Sequence, residues 1–249
     1  RVDIAIFRLE GCVMAWGGQF VFGDAFAAYF GPSDDNDLHE HAAYQIVLSA
    51  EADAIVIDET GDQHAGRGFL IRPMIPHAVQ CDSDIALIYL DPQSGIALDL
   101  ANRLDPDDIA ALDLEDMPFR VPPNSDDLFA QLNDLSVSTP SNLDARLEAV
   151  LAELRDEPGR WSITEAAARV GLSESRLRVL ARKQFGVPLS TWLVWRKLEC
   201  SAKALAAGAS LAEAAFAGGF SDQAHFTRAM RRMFGITPSV ASRSLTGRS

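Results

Sequence analysis

Ser162-Ile163-Thr164-Glu165, followed by Gly171-Leu172-Ser173, is replayed 48 residues later as Ser210-Leu211-Ala212-Glu213 and Gly219-Phe220-Ser221. Each copy opens with Ser-x-x-Glu, the spacing at which a serine oxygen and a glutamate carboxylate satisfy the free N–H groups of a helix start. A short apolar-faced helix and a glycine turn follow, then a second serine placed to cap a second helix. Beyond that serine the offset grows by one: Leu177, Ala181, Phe185 and Gly186 answer to Phe226, Met230, Phe234 and Gly235. Helix, tight turn, helix, twice over, is a pair of helix-turn-helix units, and double-stranded DNA is the first partner to consider.

Charge agrees once the chain is divided. The whole protein is acidic, with 22 basic and 35 acidic side chains and a net charge of −13. Residues 1–140 hold 6 basic and 25 acidic side chains, net −19, whereas residues 141–249 hold 16 and 10, net +6. The second helix of each unit is densest in positive charge: Arg176, Arg178, Arg182 and Lys183 in one, Arg228, Arg231 and Arg232 in the other. The acids there, Glu174 and Asp222, sit in the first turn, where they suit the helix dipole. A solvated face would mix signs along its length; a phosphate-facing surface explains the clustering better.

At 249 residues the chain has room for two domains, each with its own core. Cys12, Cys81 and Cys200 are odd in number, widely spaced and form no C-x-x-C, so they read as reduced thiols. No apolar run reaches membrane-spanning length and no basic-then-apolar leader opens the sequence, which predicts a cytoplasmic protein without membrane partners.

Short apolar runs at Ile4–Leu9, Gln45–Ser49, Ala54–Ile57, Phe69–Ile71 and Ile85–Leu90 alternate with Gly, Asp and Pro turns, as in a β-sandwich or barrel. Pro73 and Pro76 fall where a turn belongs. From about Ser94 the pattern becomes helical. Leu128, Leu132 and Leu135 share one face, and so do Leu143, Leu147, Val150, Leu151 and Leu154. Such stripes, on helices over 126–136 and 142–155, pack either a subunit interface or the barrel of their own chain; the first reading predicts a homodimer. Pro140 separates the two helices, and Pro158-Gly159 marks the link to the DNA-binding half.

The run Gly219-Phe220-Ser221-Asp222-Gln223-Ala224-His225-Phe226-Thr227-Arg228, continuing through Met233-Phe234-Gly235-Ile236-Thr237-Pro238, closely resembles the signature of AraC/XylS-type transcription regulators, and the likeness extends over residues 160–242. The resemblance implies two helix-turn-helix units joined by a long helix, here Leu189–Ala207 with Trp192, Leu193, Leu198, Ala202 and Leu205 as its buried stripe, entering adjacent major grooves about 34 Å apart. By position it implies base contacts from Ser175, Arg178 and Val179 in the first unit, and from Gln223, Ala224, His225 and Arg228 in the second. Arg suits guanine, Gln suits adenine, and Val or Ala suits a thymine methyl. Arg176, Arg182, Lys183, Arg231 and Arg232 fit backbone phosphate better.

His39, His41 and Gln45 fall at i, i+2 and i+6, so on one strand their side chains share a face, and His77 follows on a later strand. This spacing resembles the cupin barrel, whose metal-binding version uses His-x-His, a Glu and a later His; AraC-type regulators often carry such a barrel as their sensor. Gln45 stands where a cupin enzyme has Glu, and an amide is a poorer ligand and no base at neutral pH. The leading expectation is therefore that His39, His41, Gln45 and His77 line a pocket for an organic effector. The alternative is a divalent metal such as zinc or iron on His39, His41 and His77. His64 reads as a turn residue.

The sequence thus predicts a multidomain α and β protein: a cupin-like sensor barrel over 1–93, a helical connector with possible dimerisation helices over 94–158, and an all-α double helix-turn-helix over 159–249. The expected function is that of a sequence-specific DNA-binding transcription regulator answering to a small-molecule effector, not an enzyme, with RNA polymerase as a further partner if it activates. The rival reading is a metal-dependent cupin enzyme or metal sensor fused to a DNA-binding domain.

Overall fold

The computed structural model describes residues 5–7, 18–23, 26–33, 36–49, 51–92, 94–103, 107–115, 125–136, 143–156, 158, 161–235 and 237–238. Cys12, Pro140, Gly159 and Ile236 lie outside the described residues. Among the described residues nine strands come first in the chain, β1 (Ala5–Phe7), β2 (Gln19–Phe22), β3 (Phe26–Pro32), β4 (Tyr44–Ser49), β5 (Ala54–Asp58), β6 (Gln63–Gly66), β7 (Gly68–Ile71), β8 (His77–Gln80) and β9 (Asp84–Leu90), and β10 (Ile109–Ala111) follows the first helix. They form a seven-stranded sheet in the order β1-β2-β3-β9-β4-β7-β10 and a three-stranded sheet in the order β6-β5-β8, all pairs antiparallel.

The central strand β9 explains the layering. Its side chains alternate between two cores, because successive residues of a strand point to opposite faces. Ile85, Leu87 and Tyr89 join the inner core, where they meet Val47 of β4, Val56 of β5 and Val79 of β8. Ala86, Ile88 and Leu90 join an outer core with Ile46 and Leu48 of β4, and that face is covered by α1 (Gly95–Arg103) and α2 (Ser125–Ser136). Gln45 therefore lies on the inner face of β4, with Val47 and Ser49.

The leucine stripes are used inside the chain. Leu128, Phe129 and Leu132 of α2 are buried against the outer face of the large sheet. Leu147, Val150, Leu151 and Leu154 of α3 (Ala145–Asp156) are buried in the cluster that holds Leu177 and Ala181 of α5 (Glu174–Phe185). A fully buried leucine contributes about 1.5–3 kcal/mol relative to an exposed one, so these residues stabilise the chain's own packing, the second of the two readings of the stripes. The connector is also not separate from the sheet: β10 pairs with the β7 edge, so the strand system runs on past residue 93.

The helical C-terminal half follows as α4 (Ile163–Arg169), α5, α6 (Leu189–Ala206), α7 (Leu211–Ala217) and α8 (Gln223–Phe234). Both capping boxes form: the Ser162 and Ser210 hydroxyls accept from the Glu165 and Glu213 amides at 3.2 and 3.3 Å, and each glutamate accepts back from its serine amide at 2.9 and 2.8 Å. Ser173 caps α5 by accepting from Arg176 N–H at 3.2 Å. In the second unit the cap is Asp222, not Ser221: its carboxylate accepts from His225 N–H at 2.6 Å, and Ser221 donates to the same carboxylate. This one-residue shift of the cap is the physical source of the extra residue in the repeat offset.

Candidate nucleic-acid interface and sensor site

The two second helices present the positive charge outward. Ser175, Arg176, Arg178, Val179, Arg182 and Lys183 on α5, and Gln223, Ala224, His225, Arg228, Arg231 and Arg232 on α8, are all exposed. Val179 is 60 % exposed, so its methyl groups are available to a partner. Inward, Leu177 and Ala181 of α5, and Phe226, Met230 and Met233 of α8, anchor the helices in the core, so their outward faces are rigidly carried. The joining helix α6 is 18 residues long, about 27 Å at 1.5 Å per residue. Trp192, Leu198 and Leu205 of its expected stripe are buried, as are Leu189 and Trp195; Leu193 and Ala202 are half-buried. Lys197 donates to the Gly219 carbonyl at 2.8 Å and so ties the second turn to α6.

Two expected base readers are not idle. Arg178 pairs with Glu174 at 2.8 Å, an i,i+4 ion pair on α5, and Glu174 also bonds Thr164 of α4. His225 lies with its ring edge-on to Phe220, and its Nδ1 is 3.2 Å from Ser221 Oγ.

In the barrel, His39, His41, Gln45 and His77 meet as expected, but not from one strand. His39 forms an isolated bridge with His77, the chain bends at Ala42 and Ala43, and Gln45 alone of the first three lies on β4. The bend replaces the simple alternation that placed all three on one face. All four are buried, at 4 % exposure or less. The imidazoles crowd at centroid separations of 4.5, 5.2 and 5.9 Å.

Their protonation follows from the partners. His39 Nδ1 donates to the Asp37 carbonyl at 2.9 Å, His41 Nδ1 to the Ala43 carbonyl at 2.9 Å, and His77 Nδ1 to the Ile75 carbonyl at 2.8 Å. A carbonyl only accepts, so each ring carries its proton on Nδ1. Burial disfavours the imidazolium: it drives His39 down to about 3, with neighbouring His41 adding to the effect, and holds His41 and His77 below the ordinary histidine value. Three neutral rings then aim Nε2 lone pairs inward, within 4.8 Å of one another.

Gln45 Oε1 lies 2.7 Å from His41 Nε2 and 2.8 Å from His77 Nε2, acceptor against acceptor. His39 Nε2 and Gln45 Nε2 have no partner among the described residues. Either a half-turn of the amide lets its NH2 donate to both rings, or a cation sits among the four donors. The residues fit a metal in kind: each ring is held through Nδ1 by a backbone carbonyl, the outer-shell support that metal-ligating histidines use. His64, by contrast, is at the edge of the small sheet beside Asp58.

The sequence reading missed what lies between the two surfaces. His41 packs against Tyr89 and Trp195 at 5.2 and 6.0 Å, and Tyr89 and Trp195 each lie 5.5 Å from Phe234 at the end of α8. Trp192 of α6 donates to Asp91 after β9 at 3.3 Å. Asp37 binds Arg231 with oxygen–nitrogen distances of 2.6 and 2.8 Å, and Glu40 binds Arg232 at 3.0 Å. The one sequence signal for this contact is that acids bracket His39 while arginines end α8. The inner core is accordingly continuous from the barrel through α3, α5, α6 and α8. No helix among the described residues is long and apolar enough to cross a membrane.

Comparison with known proteins agrees with this geometry. Residues 166–244 match the family profile of a helix-turn-helix domain. The chain is 28 % identical over 116 residues to the thermoregulatory protein LcrF of Yersinia pestis, covering 45 % of this chain and 43 % of LcrF. It is 30 % identical over 82 residues to the virulence regulon transcriptional activator VirF of Yersinia enterocolitica, covering 32 % of this chain and 30 % of VirF. The chain thus matches less than half the length of these curated relatives. In fold it is similar to ToxT of Vibrio cholerae, with a TM-score of 0.58 and 14 % identity over 91 % of this chain and 100 % of that one. A ToxT structure with an unsaturated fatty acid bound gives 0.56 at 14 % identity, over 91 % of this chain and 98 % of that one. Residues 166–244 are a helix-turn-helix domain, and the chain's fold, strands followed by helices, is similar to that of ToxT.

Proposed function

We propose that the chain is a sequence-specific DNA-binding transcription regulator that answers to an effector in its barrel. The observation that carries the DNA-binding part is the pair of capped helices, α5 and α8, whose outward faces hold seven arginines and lysines while their inward faces are locked into one core. In this reading Ser175, Arg178, Val179, Gln223, Ala224, His225 and Arg228 read bases, and Arg176, Arg182, Lys183, Arg231 and Arg232 grip phosphate. RNA polymerase becomes a partner if the regulator activates, as VirF is named for doing. Fluorescence anisotropy of the full chain on duplex DNA tests the reading. Binding that weakens steeply as salt rises is expected, because several cationic side chains displace counterions. Absence of salt-sensitive binding refutes it.

The effector site is assigned to His39, His41, Gln45 and His77. ToxT, whose fold the chain shares, has been found with an unsaturated fatty acid, which supports an organic ligand for a barrel of this kind. A second reading, a divalent transition metal, is supported by the three converging Nε2 lone pairs and the unpartnered Gln45 amide, all buried. When bound, such an ion would draw its nitrogen ligands from the three histidines and an oxygen from Gln45. Calorimetry on chelator-treated protein separates the two. Stoichiometric zinc uptake that His77→Ala abolishes supports the metal, and no uptake leaves the organic ligand.

A further inference from the structure

The two helix-turn-helix units differ at equivalent places. Counting from the caps, Arg182 and Lys183 of α5 answer to Arg231 and Arg232 of α8. In the first unit this basic pair makes no ion pair among the described residues. In the second, both members are held by carboxylates of the barrel, Arg231 by Asp37 and Arg232 by Glu40.

The carboxylates are carried by a segment that docks through its backbone as well. Asp37 N–H donates to the Gly235 carbonyl and Glu40 N–H to the Arg232 carbonyl, each at 3.3 Å. Gly235 ends α8 in the left-handed conformation, and a Cβ there would come within 2.4 Å of the Asp37 carbonyl oxygen. The same carbonyl accepts from His39 Nδ1, and His39 exchanges two backbone hydrogen bonds with His77, at 3.0 and 2.9 Å. A ligand drawn onto His39 Nε2 thus acts on a ring bonded to the carbonyl that touches the end of the recognition helix.

We propose that residues 36–41 are a latch: Asp37 and Glu40 occupy Arg231 and Arg232 in place of DNA phosphate, and the state of the histidine cluster sets how firmly the latch holds. This inference rests on the DNA-binding reading above. A carboxylate and a phosphate oxygen satisfy the same guanidinium donors, so the two cannot be bound at full strength together. The latched arrangement also keeps the acidic barrel against the basic helix, which opposes a polyanion. The ligand regulates DNA affinity to the extent that it binds latched and unlatched forms unequally.

The test uses the full chain on a random-sequence duplex over a range of salt. Asp37→Asn with Glu40→Gln leaves both arginines in place and removes their competitors. The control, Glu59→Gln with Asp82→Asn, changes net charge equally at exposed positions outside the latch. The latch variant is expected to bind roughly two- to thirty-fold tighter than wild type, the range that two exposed ion pairs supply. The control should gain much less. Hydrogen exchange gives a readout independent of affinity. Amides 37 and 40, protected by carbonyls of α8 and its cap, should exchange faster once DNA saturates the wild-type protein. A latch variant that gains no more than the control, or unchanged protection of residues 36–41 on DNA, overturns the latch while leaving DNA binding intact. Failure of wild type and variant alike to bind DNA overturns the underlying reading and the latch with it.

Discussion

Acid should unfold this protein far above the pH at which its carboxylates titrate, and the buried histidines are the reason. His39, His41 and His77 are neutral in the fold because burial excludes the imidazolium, whereas in the unfolded chain each titrates near 6.5. A group whose folded pKa lies below its unfolded one contributes stability above the unfolded value and loses it as pH falls through the gap. For His39 the gap runs from 6.5 down to about 3. Across it His39 removes about 1.4 kcal/mol per pH unit, so between pH 6.5 and 5 it alone costs about 2 kcal/mol, and His41 and His77, also held low by burial, add losses of the same sign. Total stability for a protein of this kind is about 5–15 kcal/mol, so the loss is a large share of it. Carboxylates held low, such as Asp58 and Asp144 at about 2, add their loss only below their unfolded values near 3.8. The assay is urea unfolding with chelator present, followed by circular dichroism at pH 7, 6, 5.5 and 5. His39→Asn should reduce the slope. A stability that stays level from pH 7 to 5 would refute the neutral, Nδ1-protonated cluster.

Arg228→Ala should cost about 1–3 kcal/mol on the cognate site and relax preference at one base position, whereas Lys183→Ala should weaken cognate and random DNA alike; equal losses on both DNAs from both variants would collapse the division between readers and phosphate contacts. Ser210→Ala removes the α7 capping box and should lower stability by about 1 kcal/mol, seen as a shift in the thermal midpoint, with no shift if the exposed box contributes nothing. Gln45→Glu places a carboxylate among the Nε2 atoms and should raise zinc affinity in calorimetry if the cluster is a metal site; an affinity left unchanged or lowered argues for the organic ligand.

The DNA-binding half was legible because its signals are local. Ser-x-x-Glu boxes, turn glycines and the i, i+3, i+4 stripe all act within one helix, and each reappears in the structure at the expected residues. One exception stands out: Ser221 and Asp222 are both competent caps, and it is Asp222 that caps α8. In the barrel, β9 and β4 were readable as apolar runs and β8 through the strand expected at His77, while β10 was not, since Ile109–Ala111 becomes a strand through its partner β7. The histidine cluster was legible as spacing but not as geometry, because the bend at Ala42–Ala43 has no marker in the sequence. The leucine stripes announced burial without saying against what. Contacts such as Asp37 with Arg231, 194 residues apart, leave no local trace at all.

The continuous core has a bearing on how such chains can be recombined. A sensor and a DNA reader joined end to end look like interchangeable parts, and a gene fusion near residue 158 would preserve every helix and strand. It would not preserve the seam. Tyr89 from the barrel closes over Trp195 and Phe234 from the reader, and Asp91 receives the Trp192 indole. A foreign barrel lacking that surface leaves two tryptophans and a phenylalanine facing water, a sticky patch of the sort that promotes aggregation. Functional hybrids should therefore be found only when the residues matching Asp37, Glu40, Tyr89 and Asp91 travel with the barrel that matches the reader.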